Sequence, residues 1–344
     1  MSGAILVDSR RVVDLDVNYA DLAPAYDPAY IIPERSAEPP EEAEVIRVKG
    51  KTRYETGFAV ANYLKEVLGI EQFEAVVIAN GENFPDALAG SYLAHKKNAP
   101  ILLTNKNQDA NVLAYIEANL VSGGKVYILG GTAAVSQEFE DGLVAKGIDY
   151  ARVKGATRYE TNLEILKEAG VTADQKILIA TGNNYADSLS ASATGLPMVL
   201  VGKGLTDAQK AFLETTSKNF VILGGEGAVS AEIEADLAAM GTVERVKGKT
   251  RYETSVEIAK YFFTAPESAV LGYANDFPDG LCAGPLAIAL KAPLILTADG
   301  KTDAADAYIE NITSGVVTGG EARISDDSVR EIFELAEDAV IEVK

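Results

Sequence analysis

Arg47-Val48-Lys49-Gly50-Lys51-Thr52-Arg53-Tyr54-Glu55-Thr56 returns as Arg152-Val153-Lys154-Gly155-Ala156-Thr157-Arg158-Tyr159-Glu160-Thr161, and again as Arg245-Val246-Lys247-Gly248-Lys249-Thr250-Arg251-Tyr252-Glu253-Thr254. Nine of the ten positions agree in all three, and the arginines at 53, 158 and 251 stand 105 and 93 residues apart. Chance does not produce such agreement, so the chain consists of diverged copies of one unit. Further marks follow each decapeptide in the same order. Phe84-Pro85-Asp86-Ala87-Leu88 corresponds to Tyr185-Ala186-Asp187-Ser188-Leu189 and Phe277-Pro278-Asp279-Gly280-Leu281. Pro100-Ile101-Leu102-Leu103 corresponds to Pro197-Met198-Val199-Leu200 and Pro293-Leu294-Ile295-Leu296. Leu129-Gly130-Gly131 corresponds to Leu223-Gly224-Gly225 and, more distantly, to Thr318-Gly319-Gly320.

Outward from the decapeptide, the first copy alternates helix and strand. Phe58, Val60, Ala61, Leu64 and Leu68 make a broad apolar face at helical spacing, which predicts a helix from Arg53 to about Leu68. Ala75 to Ala79 is a short apolar run, the pattern of a buried strand. Pro85 suits the first turn of a helix that continues to about Lys97. Pro100 to Thr104 reads as a strand, Ala110 to Leu120 as a helix and Lys125 to Leu129 as a strand. Gly130-Gly131 breaks the chain before a helix from about Ser136 to Lys146. Strands that are apolar throughout and separated by helices call for a parallel sheet covered on both faces. The expected fold is therefore α/β: doubly wound repeats over residues 45–150, 151–243 and 244–344. Residues 1–44 differ. Ile5-Leu6-Val7 and Val12 to Val17 suit short strands, and Pro33 to Glu44 is an acidic, proline-containing linker. An arm with no core of its own is expected to pair with a partner protein, a neighbouring copy or a further domain.

Composition narrows the chemistry. With 47% hydrophobic and 24% charged residues, the chain has apolar surface for two or three cores. One cysteine, Cys282, and one histidine, His95, exclude an internal disulfide, a Cys/His zinc site and any other metal centre built from those residues. A Ser-His-Asp or Cys-His machine would need His95, whose surroundings, Ala94-His95-Lys96-Lys97-Asn98, read as the polar end of a surface helix. The formal net charge of −20 disfavours nucleic acid and anionic membranes as partners. No apolar run approaches the ~20 residues of a membrane span, so membrane insertion is not expected. Met1 to Asp8 has neither the basic nor the apolar region of a secretory leader. Two readings fit: a leader has been removed, or none is used.

The decapeptide carries the binding chemistry. Thr52 with Glu55, Thr157 with Glu160 and Thr250 with Glu253 have capping-box spacing, a structural role that needs no ligand. Arg53, Arg158 and Arg251 fall in the first helical turn, where the macrodipole disfavours a cation. Something negative should offset that in every copy. One partner is internal, Asp86, Asp187 or Asp279 of the same or a neighbouring unit. The other is an anionic ligand at the helix N-terminus. Both stay open. The decapeptides carry +3, +2 and +3 within a chain of −20, which fits either ion pairing between units or a series of sites for a repeating polyanion. The Gly-Gly turns lack GxGxxG or GxxxxGK[ST] spacing, and acidic helix starts at Glu138, Glu232 and Asp326-Asp327 follow them, so no cofactor is expected there. A carboxylate pair with Ser188 could be imagined for glycoside cleavage. Enzymes, however, build one asymmetric site, whereas a feature presented three times is the pattern of avidity.

With these residues assembled, residues 45 to 340 resemble the cell-wall-binding repeat 2 family of clostridial and related Gram-positive surface proteins. The resemblance rests on [KR]-G-x-[TD]-R-[YI]-E-T, the following D-[AGS]-L helix start, the P-[ILMV]-[ILV]-L strand and the Gly-Gly turn. It implies a pseudo-threefold trimer of Rossmann-like repeats. It also implies non-covalent, non-catalytic attachment to an anionic, teichoic-acid-like wall polysaccharide, often within an S-layer outside the cell. Pro100, Pro197 and Pro293, opening the P-I-L-L strands, are implied to lie near the binding groove. Together with Arg53, Tyr54, Arg158, Tyr159, Arg251, Tyr252, Lys49, Lys154 and Lys247 they form the expected polymer-binding set. The second copy lacks proline at Ala186 and the third has Thr318 before its turn, so equal sites are not expected. A phage virion or surface-lattice protein that uses such repeats for attachment or assembly is the alternative; a carbohydrate-active enzyme is the third reading.

Overall fold

Each decapeptide straddles a strand end and a helix start, and this decides how the copies join. The computed structural model describes residues 5–8, 11–13, 43–310 and 312–344. Within residues 1–41, a unit to itself, β1 (Ile5–Asp8) pairs antiparallel with β2 (Arg11–Val13), Ile5 opposite Val13. Asp14 to Val17, and the linker as far as Glu42, lie outside the described residues.

The rest of the chain repeats one order of elements. The first copy runs β3 (Glu44–Val48), α1 (Arg53–Leu68), β4 (Phe73–Asn80), α2 (Pro85–Lys96), β5 (Ile101–Thr104), α3 (Asp109–Asn119), β6 (Leu120–Leu129) and α4 (Gln137–Ala145). The second runs β7 (Asp149–Val153), α5 (Arg158–Ala169), β8 (Ile177–Thr181), α6 (Ala186–Ala191), β9 (Met198–Val201), α7 (Asp207–Thr216), β10 (Asn219–Leu223) and α8 (Ala231–Ala238). The third runs β11 (Thr242–Val246), α9 (Arg251–Phe262), β12 (Ser268–Tyr273), α10 (Pro278–Ala289), β13 (Leu294–Thr297), α11 (Asp303–Ile309), β14 (Ser314–Thr318) and α12 (Asp326–Ile332), with β15 (Glu342–Val343) after it. The periodicities read from the first copy locate these elements to within a few residues, except that β6 begins earlier, at Leu120.

All three sheets are parallel, and each takes its outer strand from another copy. The orders are β5-β4-β6-β7, β9-β8-β10-β11 and β13-β12-β14-β3-β15. Thus β7, which opens the second decapeptide, completes the first sheet, and β11 completes the second. Strand β3, from the start of the first copy, completes the third, Glu44 lying opposite Ser314 and Val48 opposite Thr318. The repeats close into a ring through their strands. Boundaries drawn at 150/151 and 243/244 fall inside β7 and β11.

Helices close the ring a second time. Helix α2 packs on α5, α6 on α9 and α10 on α1, each pair joining two copies. On the axis of this arrangement Phe84, Tyr185 and Phe277, equivalent residues at the starts of α2, α6 and α10, form a triangle with ring centroids 5.6–5.7 Å apart. Edge-on aromatic pairs of this kind contribute about 0.5–1.5 kcal/mol each beyond their buried area. Below them Gly280 faces Leu189, and Gly284 faces Ser192 and Ser91, leaving no room for a Cβ. The architecture is a pseudo-threefold trimer of doubly wound repeats within one chain.

Candidate polymer-binding face

Most of the decapeptide is accounted for by the strand-to-helix turn it forms. A Cβ on Gly50, Gly155 or Gly248 would fall 2.3–2.4 Å from the Cβ of Glu55, Glu160 or Glu253, so only glycine lets the turn close. The amides of these glycines donate to Thr56, Thr161 and Thr254 at 3.0–3.1 Å. Thr52, Thr157 and Thr250 accept from the amides of Glu55, Glu160 and Glu253 at 3.2–3.3 Å. The Glu55 carboxylate accepts from the Thr52 amide, completing a capping box, and from Lys51 one residue earlier, as Glu160 and Glu253 do from Ala156 and Lys249.

The leading arginine of each decapeptide is structural as well, which lowers the cationic charge available to a ligand. Arg47 is buried and donates to the carbonyls of Gly319 and Ile324 while pairing with Asp326 at 2.7 Å. Arg152 donates to the Gly130 carbonyl at 2.9 Å and pairs with Glu140; Arg245 donates to Gly224 at 2.9 Å and pairs with Glu234. Each guanidinium thus holds the Gly-Gly turn of the sheet its strand completes. Sequence reading counted these charges toward the patch because nothing local marks them as buried.

Arg53, Arg158 and Arg251 are half-buried at the C-terminal ends of the strands. Their nearest partners are main-chain carbonyls, which the sequence did not suggest: Gly81 at 2.8 Å, Gly182 at 2.7 Å and Ala274 at 2.6 Å, each just past the central strand of the same copy. The repeated aspartates act on them across copy boundaries. Burial pushes the carboxyls of Asp86, Asp187 and Asp279 above the ordinary range, while Arg158 draws Asp86 down and Arg251 draws Asp187 down. Asp279 is drawn down by Arg323 and Arg53. The ion pair that Arg53 makes is with Asp276 at 3.8 Å, not with Asp279. The aspartates touch the Gly-Gly turns instead. Gly130, Gly224 and Gly319 have φ of +89°, +91° and +99°, and a Cβ there would come within 2.2–2.5 Å of the Asp86, Asp187 or Asp279 carboxylate.

The other predicted residues separate into two ends of the sheet. Tyr54 is buried over Gly81, and Tyr159 covers Gly182, while Tyr159 and Tyr252 extend their hydroxyls to Asn183 and Asn275 on the same face as the arginines. Lys154 and Lys247 are exposed there, and Lys49 pairs with Glu321. Pro100, Pro197 and Pro293 are buried at the opposite, N-terminal ends of β5, β9 and β13. Their carbonyls accept from Val77, Leu178 and Val270, so the prolines start strands, about 13 Å of strand away from the guanidinium groups. The prolines and the guanidinium groups thus lie at opposite ends of the strands. Ser188 is buried, its hydroxyl donating to the Tyr185 carbonyl at 3.1 Å. His95 is half-buried against Gly195, not a surface group, and burial pulls its imidazole below the usual range.

Sequence reading missed the aromatic triangle, whose only signal was an aromatic residue two positions before each repeated aspartate. It also missed Asp276 and Arg323, which exist in the third copy alone. Arg323 pairs with Asp276 at 3.0 Å and lies over the Tyr273 ring. Among the described residues no three His, Cys, Asp or Glu side chains gather as metal ligands, and no helix is long and apolar enough to cross a membrane.

The result is a surface of strand-end carbonyls, hydroxyls, amides and half-buried guanidinium groups, presented three times where neighbouring copies meet. The profile of the cell wall binding domain 2 (CWB2) family matches residues 47–140, 152–234 and 245–329, and the chain belongs to that family, in three copies. It is similar to Cwp8 from Clostridium difficile (31% identity, TM-score 0.76, 85% of this chain and 52% of that one). It is likewise similar to Cwp6 from the same organism (26% identity, TM-score 0.74, 88% of this chain and 49% of that one). Among sequences, the N-acetylmuramoyl-L-alanine amidase LytC of Bacillus subtilis is 28% identical over 262 residues, 74% of this chain and 50% of the amidase. The chain spans about half the length of these relatives.

Proposed function

We propose that this chain binds an anionic, teichoic-acid-like polysaccharide of a Gram-positive cell wall, without catalysis, and so anchors a surface protein. The observation that carries the reading is the placement of Arg53, Arg158 and Arg251. All three lie half-buried on one edge of their sheets, each beside a helix N-terminus and a neighbouring copy, in a chain that belongs to a wall-binding family. Guanidinium groups held this way lose little freedom on meeting a phosphate or carboxylate. Three sites on one chain raise the affinity for a repeating polymer beyond that of any one. Lys154, Lys247 and the hydroxyls of Tyr159 and Tyr252 complete the surface. We take residues 45–150, 151–243 and 244–344 as the binding repeats and residues 1–44 as an arm for other copies or for surface or virion partners. Membership of a cell wall binding family, with Ser188 and Cys282 buried, supports a binding role over an enzymatic one.

The test is retention on purified wall polysaccharide over a salt series. Binding should weaken as salt rises, because Arg and Lys contacts release counterions. Removing the polymer's acidic substituents should abolish it. Undiminished binding to the neutral polymer would refute the anionic reading, and release of soluble fragments would restore the enzymatic one.

A further inference from the structure

The three junctions share a plan but differ in what fills them. Where the second copy meets the third decapeptide, a cleft of about 730 Å³ opens between the ends of β8 to β10 and the start of α9. Thr181, Gly202 and Gly227 keep its walls low, and Lys203, Lys249 and Arg251 face it. Lys203 and Lys249 are exposed and belong to no ion pair among the described residues. A space of this size suits a short saccharide stretch. Asn183, Asn184, Ser230 and Thr250 on its walls offer the hydroxyl and amide groups that sugars meet.

The equivalent positions elsewhere are obstructed. In the first junction Thr181 is replaced by Asn80, whose amide reaches the Ala134 carbonyl of the Gly-Gly turn at 2.6 Å. Gly202 is replaced by Asn105, bonded to Glu82 at 2.9 Å, and Lys249 by Ala156. In the third junction Ala228 is replaced by Arg323 and Asn184 by Asp276. These two pair at 3.0 Å, and Asp276 also holds Arg53 at 3.8 Å. Lys203 becomes Asp299, engaged by Ser325 and Ser328. One cation is thus reversed and the arginine is already satisfied.

We propose that the second–third junction is the principal binding pocket of this chain, accepting a saccharide unit that carries one phosphate or carboxylate. The third junction is a self-sealed closure. This rests on the reading that the arginine face binds an anionic polymer. Arg251 holds the acidic substituent with Lys203 and Lys249, while the asparagines and hydroxyls take the sugar. Two carboxylates also line the cleft: Asp187, against Gly224 where it supports the turn, and Glu226, which is exposed, so three cations face two acidic side chains.

A charge-neutral transplant tests the proposal. Asn184→Asp with Ala228→Arg copies the third junction's seal into the second. Asp276→Asn with Arg323→Ala removes the seal from the third. Titrations would use two soluble probes, poly(glycerol phosphate) and polyglucuronate, which distinguish phosphate from carboxylate as the recognised group. The transplant should weaken binding of the preferred probe at least tenfold, whereas unsealing should leave it unchanged or strengthen it. A folded transplant that binds within twofold of the parent, or an unsealed variant that loses as much as the transplant, overturns the proposal. Should the transplant not fold, Lys203→Ala, at an exposed position, should weaken binding at least threefold, and no change there overturns it. Failure of the parent chain to bind either probe would instead reject the anionic-polymer reading, and the proposal with it.

Discussion

Replacing Arg152 with alanine separates the structural part of the decapeptide from its binding part. The Arg152 and Glu140 side chains are 8% and 9% exposed, so the ion pair between them is shielded from water. The same guanidinium donates to the carbonyls of Gly130 at 2.9 Å and Ser136 at 3.3 Å. Removing it strands a carboxylate and two carbonyls together. Breaking a buried pair from one side costs about 3–5 kcal/mol. Hydrogen bonds to a charged group, at about 1.5–3 kcal/mol each, make the upper part of that range reasonable. Arg245→Ala should cost less, because its acidic partner Glu234 is 38% exposed and regains water, and only the Gly224 carbonyl loses its donor. Urea unfolding followed by far-ultraviolet circular dichroism measures the difference without salt screening. The double variant Arg152→Met/Glu140→Leu should recover most of the loss, since no charge is left stranded. The reasoning fails if Arg152→Ala costs less than about 1 kcal/mol, or if the double variant is no better than the single one.

Three further outcomes follow from named contacts. Gly224→Ala places a Cβ 2.2 Å from the Asp187 carboxylate at φ +91°, and should lower the melting temperature sharply, whereas Gly225→Ala meets nothing within 4 Å and should be nearly neutral. Tyr185→Ala removes two edges of the aromatic triangle and should cost about 1–3 kcal/mol beyond lost burial, read as a shifted urea midpoint. Burial raises the Asp187 carboxyl above its unfolded value, so its contribution to stability is full below about pH 4 and is lost as pH rises through the folded pKa. Melting temperatures of the parent and Asp187→Asn should therefore diverge in favour of the asparagine variant toward neutral pH, and parallel curves would contradict this.

What the sequence revealed divides by range. Thr52 with Glu55 is a local pattern whose physics is complete within four residues, and the helix spacing from Phe58 to Leu68 is equally self-contained. Three copies were visible in the repeated decapeptide, while their packing as a trimer came only from the family resemblance. Ring closure was not: β3 pairs with β14 across most of the chain, and an apolar strand does not declare which sheet will receive it. Arg47 illustrates the consequence. It reads as part of a cationic patch beside Lys49, yet strand pairing buries it against residues some 270 positions away. That Pro100, Pro197 and Pro293 lie at the strand ends opposite the arginines was hidden for a related reason. A motif names a strand without saying which of its ends a ligand would meet. The aromatic triangle was hidden because the ring contacts of Phe84, Tyr185 and Phe277 run between copies, where periodicity within one copy does not register them.

The central claim is tested most directly by changing the three arginines together. Isothermal titration of the parent chain and of Arg53→Ala/Arg158→Ala/Arg251→Ala with the same soluble wall polymer, at one low and one physiological salt concentration, reads it out. Loss of the charge-assisted contact of Arg251 alone, about 1.5–3 kcal/mol, should weaken binding at least tenfold and flatten its salt dependence, with circular dichroism confirming the fold. A folded triple variant that binds with the parent's affinity and salt slope would contradict the account.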